Sequence, residues 1–127
     1  MTLVHLVIAA ALLEYLWFGF AVGQAREKYS VKAPATTGNE IFERNFRVQM
    51  NTLEQLVVFV PSILLFALYV EPRIAAALGA VFVIGRAVYF RQYVRDPKSR
   101  SLGFGLSFMP MAILLSGAVI GAALSLR

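Results

Sequence analysis

The stretch Phe42 to Tyr69 reads FERNFRVQMNTLEQLVVFVPSILLFALY, and in it a polar segment passes directly into an apolar one. At about 100° per residue, Arg47, Asn51 and Glu54 share one face of a single helix. Charged groups at membrane depth cost about 2.5 to 3.5 kcal/mol each, so they turn toward protein, water or a ligand. The stretch therefore predicts a membrane helix whose first turns carry a polar face that avoids lipid.

The composition supports a membrane setting for the whole chain. Its 127 residues are 59% hydrophobic and 15% charged, and the mean hydropathy is +0.70. Four segments are long enough to cross a hydrocarbon core of about 30 Å: Thr2 to Gly23, Phe46 to Tyr69, Ile74 to Tyr93 and Leu102 to Leu126. The first segment lacks a basic leader and is too long for the apolar region of a signal peptide, so we expect a retained helix. The sequence thus predicts an all-α integral membrane four-helix bundle, with residues 1–127 forming one domain.

Several kinds of chemistry are excluded by residue content. The chain has no cysteine and a single histidine, His5. Disulfides, thiolate metal sites and a cysteine nucleophile are therefore ruled out, and any thiol must come from a substrate. Because His5 begins the first helix, we interpret it as an interfacial residue, and neither a metal site nor a Ser-His-Asp arrangement is expected.

The loop charges predict the topology. Most basic loop residues lie in two of the three connections. The loop between helices 1 and 2 contains Arg26, Lys28, Lys32 and Arg44, and the loop between helices 3 and 4 contains Arg95, Lys98 and Arg100. The second connection, the Glu71-Pro72-Arg73 turn, offers only one basic residue. The positive-inside rule therefore places loops 1 and 3 in the cytoplasm and both termini on the opposite side. The net charge of +5 follows from these loops and suits anionic lipid, whereas nucleic-acid binding would need a soluble module that the chain is too short to hold.

A second polar stripe lies on helix 3. Arg86, Tyr89 and Tyr93 follow an i, i+3, i+7 spacing near the end of the helix that the topology places beside the first stripe. Taken alone, the tyrosines fit an aromatic belt at the membrane interface. Arg86 lies deeper, and we expect an internal partner such as Glu54 or Glu43 and a structural role.

The two stripes together resemble a known family. The segments Phe42 to Glu54 (FERNFRVQMNTLE) and Arg86 to Tyr93 (RAVYFRQY), followed by Arg100, are similar to the MAPEG family, the membrane-associated proteins of eicosanoid and glutathione metabolism. The patterns E-R-x-x-R-x-Q-x-N-x-x-E and R-x-x-Y-F-x-x-Y are specific, and the resemblance covers nearly the whole chain. It is strongest to the leukotriene C4 synthase and microsomal glutathione transferase branch.

The resemblance implies a homotrimer of four-helix protomers, with glutathione held between neighbouring subunits near the cytosolic face. It assigns glutathione contacts to seven residues, Arg26, Arg47, Gln49, Asn51, Glu54, Tyr89 and Tyr93. It assigns catalysis to Arg100, which would stabilise the glutathione thiolate. Two positions depart from the synthase pattern, because Glu27 stands in place of a second arginine and Gln55 in place of a tyrosine. The first departure disfavours leukotriene synthesis, and the second alters the expected pose of the tripeptide.

The chemistry of glutathione fits these residue types. Its two carboxylates suit arginine forks, and its ammonium suits Glu54. Its thiol must become a thiolate, which a permanently charged Arg100 favours. We therefore expect a glutathione transferase whose bound thiolate attacks a hydrophobic electrophile that arrives from the bilayer. Reduction of lipid hydroperoxides is the second candidate reaction, and no metal cofactor is expected.

Other interpretations of the intramembrane charges remain open. In one interpretation, Glu54 and Arg86 pair only to set helix register, and Glu14 in helix 1 supplies an inter-helix contact or a polar group on the trimer axis. A non-catalytic lipid-binding or scaffold protein of the same family is one alternative function. A small transporter is another, although it predicts a continuous polar path, whereas the polar residues here gather at one end.

Overall fold

Four long helices make up almost the entire chain. The computed structural model describes residues 1–127 and contains α1 (Thr2–Lys28), α2 (Glu40–Tyr69), α3 (Pro72–Arg95) and α4 (Ser101–Leu124), with a short 3₁₀ helix (Pro97–Ser99) before α4. Each of the four is long and apolar enough to cross a membrane. The predicted number and order of spans are confirmed. At the polar end, α1 and α2 extend beyond the predicted spans, to Lys28 and from Glu40.

The helix ends follow from local side-chain chemistry. The Asn39 side chain accepts a hydrogen bond from the Phe42 amide and begins α2, as short polar side chains do at N-caps. Glu71 caps α3 in the same way through the Ile74 amide, and Pro72 occupies the first turn, where its missing N–H costs nothing. The turn between α2 and α3 is thus as tight as the sequence predicts, and it makes these helices neighbours.

The interior is an apolar core shared by all four helices. Phe59 of α2 and Phe82 of α3 stack with ring centroids 3.9 Å apart, and Val4 and Leu114 belong to the same buried cluster. Large apolar side chains also cover the outside of the bundle. Such a surface needs lipid around it, so the fold is that of a multi-pass integral membrane protein.

Glycines allow α3 and α4 to approach closely. A Cβ added to Gly85 would lie 2.6 Å from the carbonyl carbon of Leu106, and one added to Gly103 would meet the backbone of Tyr89. Small residues at such crossings are typical of membrane helix packing. The contact sets the start of α4 directly against the part of α3 that carries the tyrosine stripe.

Candidate functional site

The end of α1, the start of α2, the end of α3 and the start of α4 meet at one end of the bundle. Arg44 links two of them, because its Nη1 donates to the carbonyl oxygens of Val94 at 3.1 Å and Arg95 at 3.2 Å. Its Nη2 pairs with the Glu40 carboxylate at 2.6 Å. These contacts hold the polar first turns of α2 against the last turn of α3.

Arg47 and Glu54 form an open pair on the outer face of α2. Their side chains are 57% and 63% exposed, and the closest nitrogen and oxygen lie 3.7 Å apart. A pair with this exposure and distance contributes little to stability. Both charges therefore remain available to a charged ligand.

Arg86 is in the opposite situation, completely buried in α3. Its Nε and Nη2 donate to the Thr52 hydroxyl at 3.2 and 2.8 Å, its Nη2 also donates to Asn51 Oδ1 at 2.8 Å, and its Nη1 donates to Gln55 Oε1 at 3.1 Å. Its guanidinium carbon lies 4.2 Å from the ring centroid of Tyr89. Three neutral side chains of α2 and one aromatic ring thus surround the cation, and we call these four residues the Arg86 cradle.

The prediction that Arg86 pairs with the carboxylate of Glu54 or Glu43 is therefore wrong. Glu54 pairs with Arg47 instead, and the Glu43 carboxylate accepts from the Gly38 amide at 3.3 Å. The reason is angular, because Thr52 and Glu54 are about 200° apart around α2 and cannot face the same neighbour. The structural role expected for Arg86 agrees with its contacts.

Tyr89 and Tyr93 stack with ring centroids 5.5 Å apart at the end of α3. Tyr89 is only 4% exposed, so its ring is packed inside the protein and does not belong to an interfacial belt. Neither hydroxyl has a hydrogen-bond partner in the chain, and neither is sealed from the surroundings. Arg47 and Arg100 lie near enough for their charges to act on the Tyr89 phenol. Both phenols are thus free to donate to a ligand.

Arg100 immediately precedes α4 and is exposed. Its Nη1 donates to the Pro97 carbonyl oxygen at 2.8 Å, which leaves its remaining donors unpaired within the chain. The connector before it is ordered, since the Ser99 hydroxyl donates to the Gln92 carbonyl oxygen at 3.1 Å and Gln92 Oε1 accepts from the Gly103 amide at 3.1 Å. The guanidinium is held at the polar end with donors to spare.

Two of the predicted glutathione residues lie on the α1 side of the bundle. Arg26 donates to the Ala35 carbonyl oxygen at 2.8 Å and its guanidinium lies 4.7 Å from the Phe42 ring centroid. Gln49 packs against Gly19 of α1, where an added Cβ would lie 2.8 Å from its Nε2. Because Gln49 is about 200° around α2 from Arg47, the two side chains diverge. One protomer brings together Arg47, Asn51, Glu54, Tyr89 and Tyr93, but it does not bring Arg26 and Gln49 to them.

Some functional contacts were missed from the sequence. The sequence reasoning does not identify Thr52, which binds Arg86 twice. The signal that could have found it is spacing, because Gln55 lies four residues after Asn51 and three after Thr52, and such pairs share a helix face. Gln55 is buried and contacts Arg86, so this departure from the synthase pattern serves the interior. Glu14 is partly buried in α1, and its Oε1 is enclosed without a hydrogen-bond partner.

An apolar groove begins at Ser101, the residue that follows Arg100. It has a volume of about 430 Å³, lies between α3 and α4, and is lined by residues that include Ser101, Leu78, Val81, Met109 and Ile113. The groove opens on the surface that faces lipid. It therefore joins the hydrocarbon region to the polar end of the bundle.

The fold and the site define a class of protein, namely multi-pass, all-α integral membrane proteins with arginine, glutamate and tyrosine side chains gathered at one end of the bundle. The model of the MAPEG family matches residues 4–120, and the chain belongs to this family. The resemblance seen in the two polar motifs is thereby confirmed.

Relatives of the chain come from Synechocystis, Dictyostelium and mammals. An uncharacterised protein of Synechocystis sp. is 48% identical over 122 residues, which cover 96% of this chain and 89% of the relative. Human microsomal glutathione S-transferase 2 is 38% identical, with 84% of this chain and 73% of the relative covered. Leukotriene C4 synthase of Cavia porcellus is 31% identical, with 83% and 70% covered.

Proposed function

We propose that the protein is a membrane-bound glutathione transferase that joins glutathione to a hydrophobic electrophile. The observation that carries the proposal is the open Arg47–Glu54 pair, whose two charges complement a carboxylate and an ammonium on one small ligand. The names of the relatives, a glutathione S-transferase and a leukotriene C4 synthase, support the same class of reaction.

The side chains of α2 and α3 divide the recognition of the tripeptide among them. Arg47 binds a glutathione carboxylate through its fork, and Glu54 binds the ammonium. Asn51, Tyr89 and Tyr93 supply amide and phenol groups for the peptide bonds and the second carboxylate. Glu54 is the only carboxylate that pairs with Arg47. We therefore expect the site to bind an anionic ligand more tightly than a neutral one.

The site is completed by a neighbouring copy of the chain. Gln49 and Arg26 point away from Arg47 within one protomer, so they reach the same glutathione only from an adjacent subunit. The homotrimer implied by the family resemblance supplies such an arrangement. The proposal also places loops 1 and 3 in the cytoplasm, because basic loop residues favour that side of the membrane. The site then lies on the cytoplasmic side as well.

Arg100 activates the thiol. The glutathione thiol loses its proton to solvent, and the guanidinium stabilises the resulting thiolate because it is always charged. The thiolate sulfur then forms a bond to the electrophilic carbon of the second substrate, whose leaving group departs with the displaced electron pair. The groove between α3 and α4 delivers that substrate from the bilayer to the polar end.

The proposal is tested with the full chain in detergent, using calorimetry for glutathione binding and a chloronitrobenzene acceptor for turnover. We expect Arg100→Ala to bind glutathione nearly as well as the wild type. Its kcat should fall about 100-fold, since an electrostatic donor at the reacting atom is lost. The ultraviolet absorbance of bound thiolate should fall in parallel.

Lys98→Ala is the matched control, because Lys98 is a nearby exposed cation whose side chain forms no hydrogen bond or ion pair in the chain. Its turnover should equal that of the wild type. If the wild type itself fails to bind glutathione, the proposed function is wrong. If Arg100→Ala keeps full turnover, the assignment of catalysis to Arg100 is wrong.

A further inference from the structure

The orientation of the Asn51 side-chain amide is determined by its contact with Arg86. Arginine carries five N–H donors and no acceptor, so the atom of Asn51 that meets Arg86 Nη2 at 2.8 Å must be the oxygen. The amide nitrogen then points the other way. That Nδ2 has no acceptor within the chain and is not sealed from the surroundings.

The free Nδ2 lies on the helix face that carries the open charge pair. Asn51 follows Arg47 by four residues and precedes Glu54 by three, so all three share one face of α2. Of the residues that bind Arg86, Thr52 and Gln55 are buried, whereas Asn51 is half-buried. Asn51 is therefore the one side chain that belongs to both the Arg86 cradle and the open face.

Arg86 is well suited to hold this orientation. Its guanidinium is fixed by Thr52, Gln55 and the ring of Tyr89 as well as by Asn51. A buried cation with several partners has little freedom to move. Without Arg86, no contact would determine whether the nitrogen or the oxygen of the Asn51 amide lies on the helix face of Arg47 and Glu54.

We propose that Arg86 is a positioning residue for the glutathione site, acting through Asn51. It holds the amide oxygen, so that the amide nitrogen donates to a carboxylate or carbonyl oxygen of glutathione beside Arg47. This inference rests on the proposed function and adds to it a residue that does not touch the ligand. Gln55 contributes in the same indirect way, because its oxygen holds Arg86 in place.

The first test is Arg86→Lys, with Arg91→Lys as the matched control at an exposed position of α3. Lysine keeps the charge but replaces the fork with one nitrogen, which cannot hold Asn51, Thr52 and Gln55 together. We expect the Kd for glutathione to rise about 10-fold, as for one lost hydrogen bond to a charged group. The kcat at saturating glutathione should change less than about 3-fold, because Arg86 does not touch the thiol.

A double-mutant cycle separates positioning from a general structural effect. If Arg86 acts through Asn51, then Arg86→Lys should cost no further glutathione affinity once Asn51→Ala is present. Equal losses in both backgrounds would show that Arg86 affects binding by another route, and the inference would be wrong. An unchanged Kd in the single variant would also overturn it.

Asn51→Asp keeps the inference testable if the Arg86 variants fail to fold. Aspartate still offers an oxygen to Arg86, so thermal stability should be equal or higher. The second oxygen replaces the donor and repels an anion, so glutathione should bind more than about 10-fold more weakly. Wild-type affinity in this variant would overturn the inference. Failure of the proposed function is distinguishable, since it appears as absent glutathione binding in the wild type.

Discussion

The Arg86 cradle and the open Arg47–Glu54 pair place the same kind of side chain in two different roles. Arg86 is completely buried and has neutral acceptors for most of its donors. Arg47 is more than half exposed, and its only partner is a carboxylate 3.7 Å away. The comparison shows what distinguishes the two roles. An arginine whose donors find acceptors within the fold is structural, whereas one with few acceptors is free to bind a ligand.

The largest expected effect is on the cradle. Arg86→Met removes the donor from Asn51, Thr52 and Gln55 and leaves buried polar groups without partners. We expect the free energy of unfolding to fall by about 3 kcal/mol, measured by thermal denaturation in detergent. Arg91→Met should change it little. A wild-type melting temperature for Arg86→Met would show that the cradle does not hold the bundle together.

A smaller effect, on binding alone, is expected at the open pair. Arg47→Ala should weaken glutathione binding about 10-fold, because one charge-assisted contact to a carboxylate is lost. Its stability should change by less than about 0.5 kcal/mol, as for an exposed ion pair. Calorimetry and thermal denaturation on the same sample measure both. Loss of stability without loss of affinity would reverse the two roles.

The smallest expected effect concerns Glu71 at the opposite end of the bundle. Hydrogen bonds from the Arg73 and Ile74 amides hold the pKa of this carboxylate below its ordinary value. A carboxylate with a lowered folded-state pKa stabilises the protein above its unfolded pKa, and that contribution is lost as the pH falls through the folded value.

Glu71→Gln should therefore lower the melting temperature slightly near about pH 7, and the difference from the wild type should shrink toward about pH 3. Thermal denaturation across this range measures it. Glutathione binding should not change, because Glu71 caps the start of α3, at the end of the bundle opposite the proposed site. A difference that grows toward low pH would contradict the assigned sign.

Much of the architecture could be predicted from the chain because its signals are local. Apolar runs of about 20 residues identify spans in any membrane protein, and Pro72 and Pro97 mark where helices begin or end. The polar motifs were also sufficient to predict the family, and the match of the family model to residues 4–120 confirms it. The helix α2 begins six residues before the predicted membrane span at Phe46, because capping by Asn39 extends it through polar residues that hydropathy does not count.

The partners of the polar side chains could not be predicted in the same way. Spacing places Arg47, Asn51 and Glu54 on one face, but it does not say that Asn51 also reaches across to α3. Nor does it say that Gln49 packs on Gly19, away from the other predicted contacts. Each of these facts depends on which neighbouring helix lies at a given angle.

The amino-acid order was enough to establish a four-span membrane protein of the MAPEG family with a polar end, because hydrophobic length and motif spacing are properties of consecutive residues. Folding in three dimensions was needed to assign Arg86 to the interior, Arg47 and Glu54 to the open face, and Asn51 to both. The physical reason is that a hydrogen bond needs donor and acceptor within about 3 Å. Only the packing of α2 against α3 determines which polar atoms come that close.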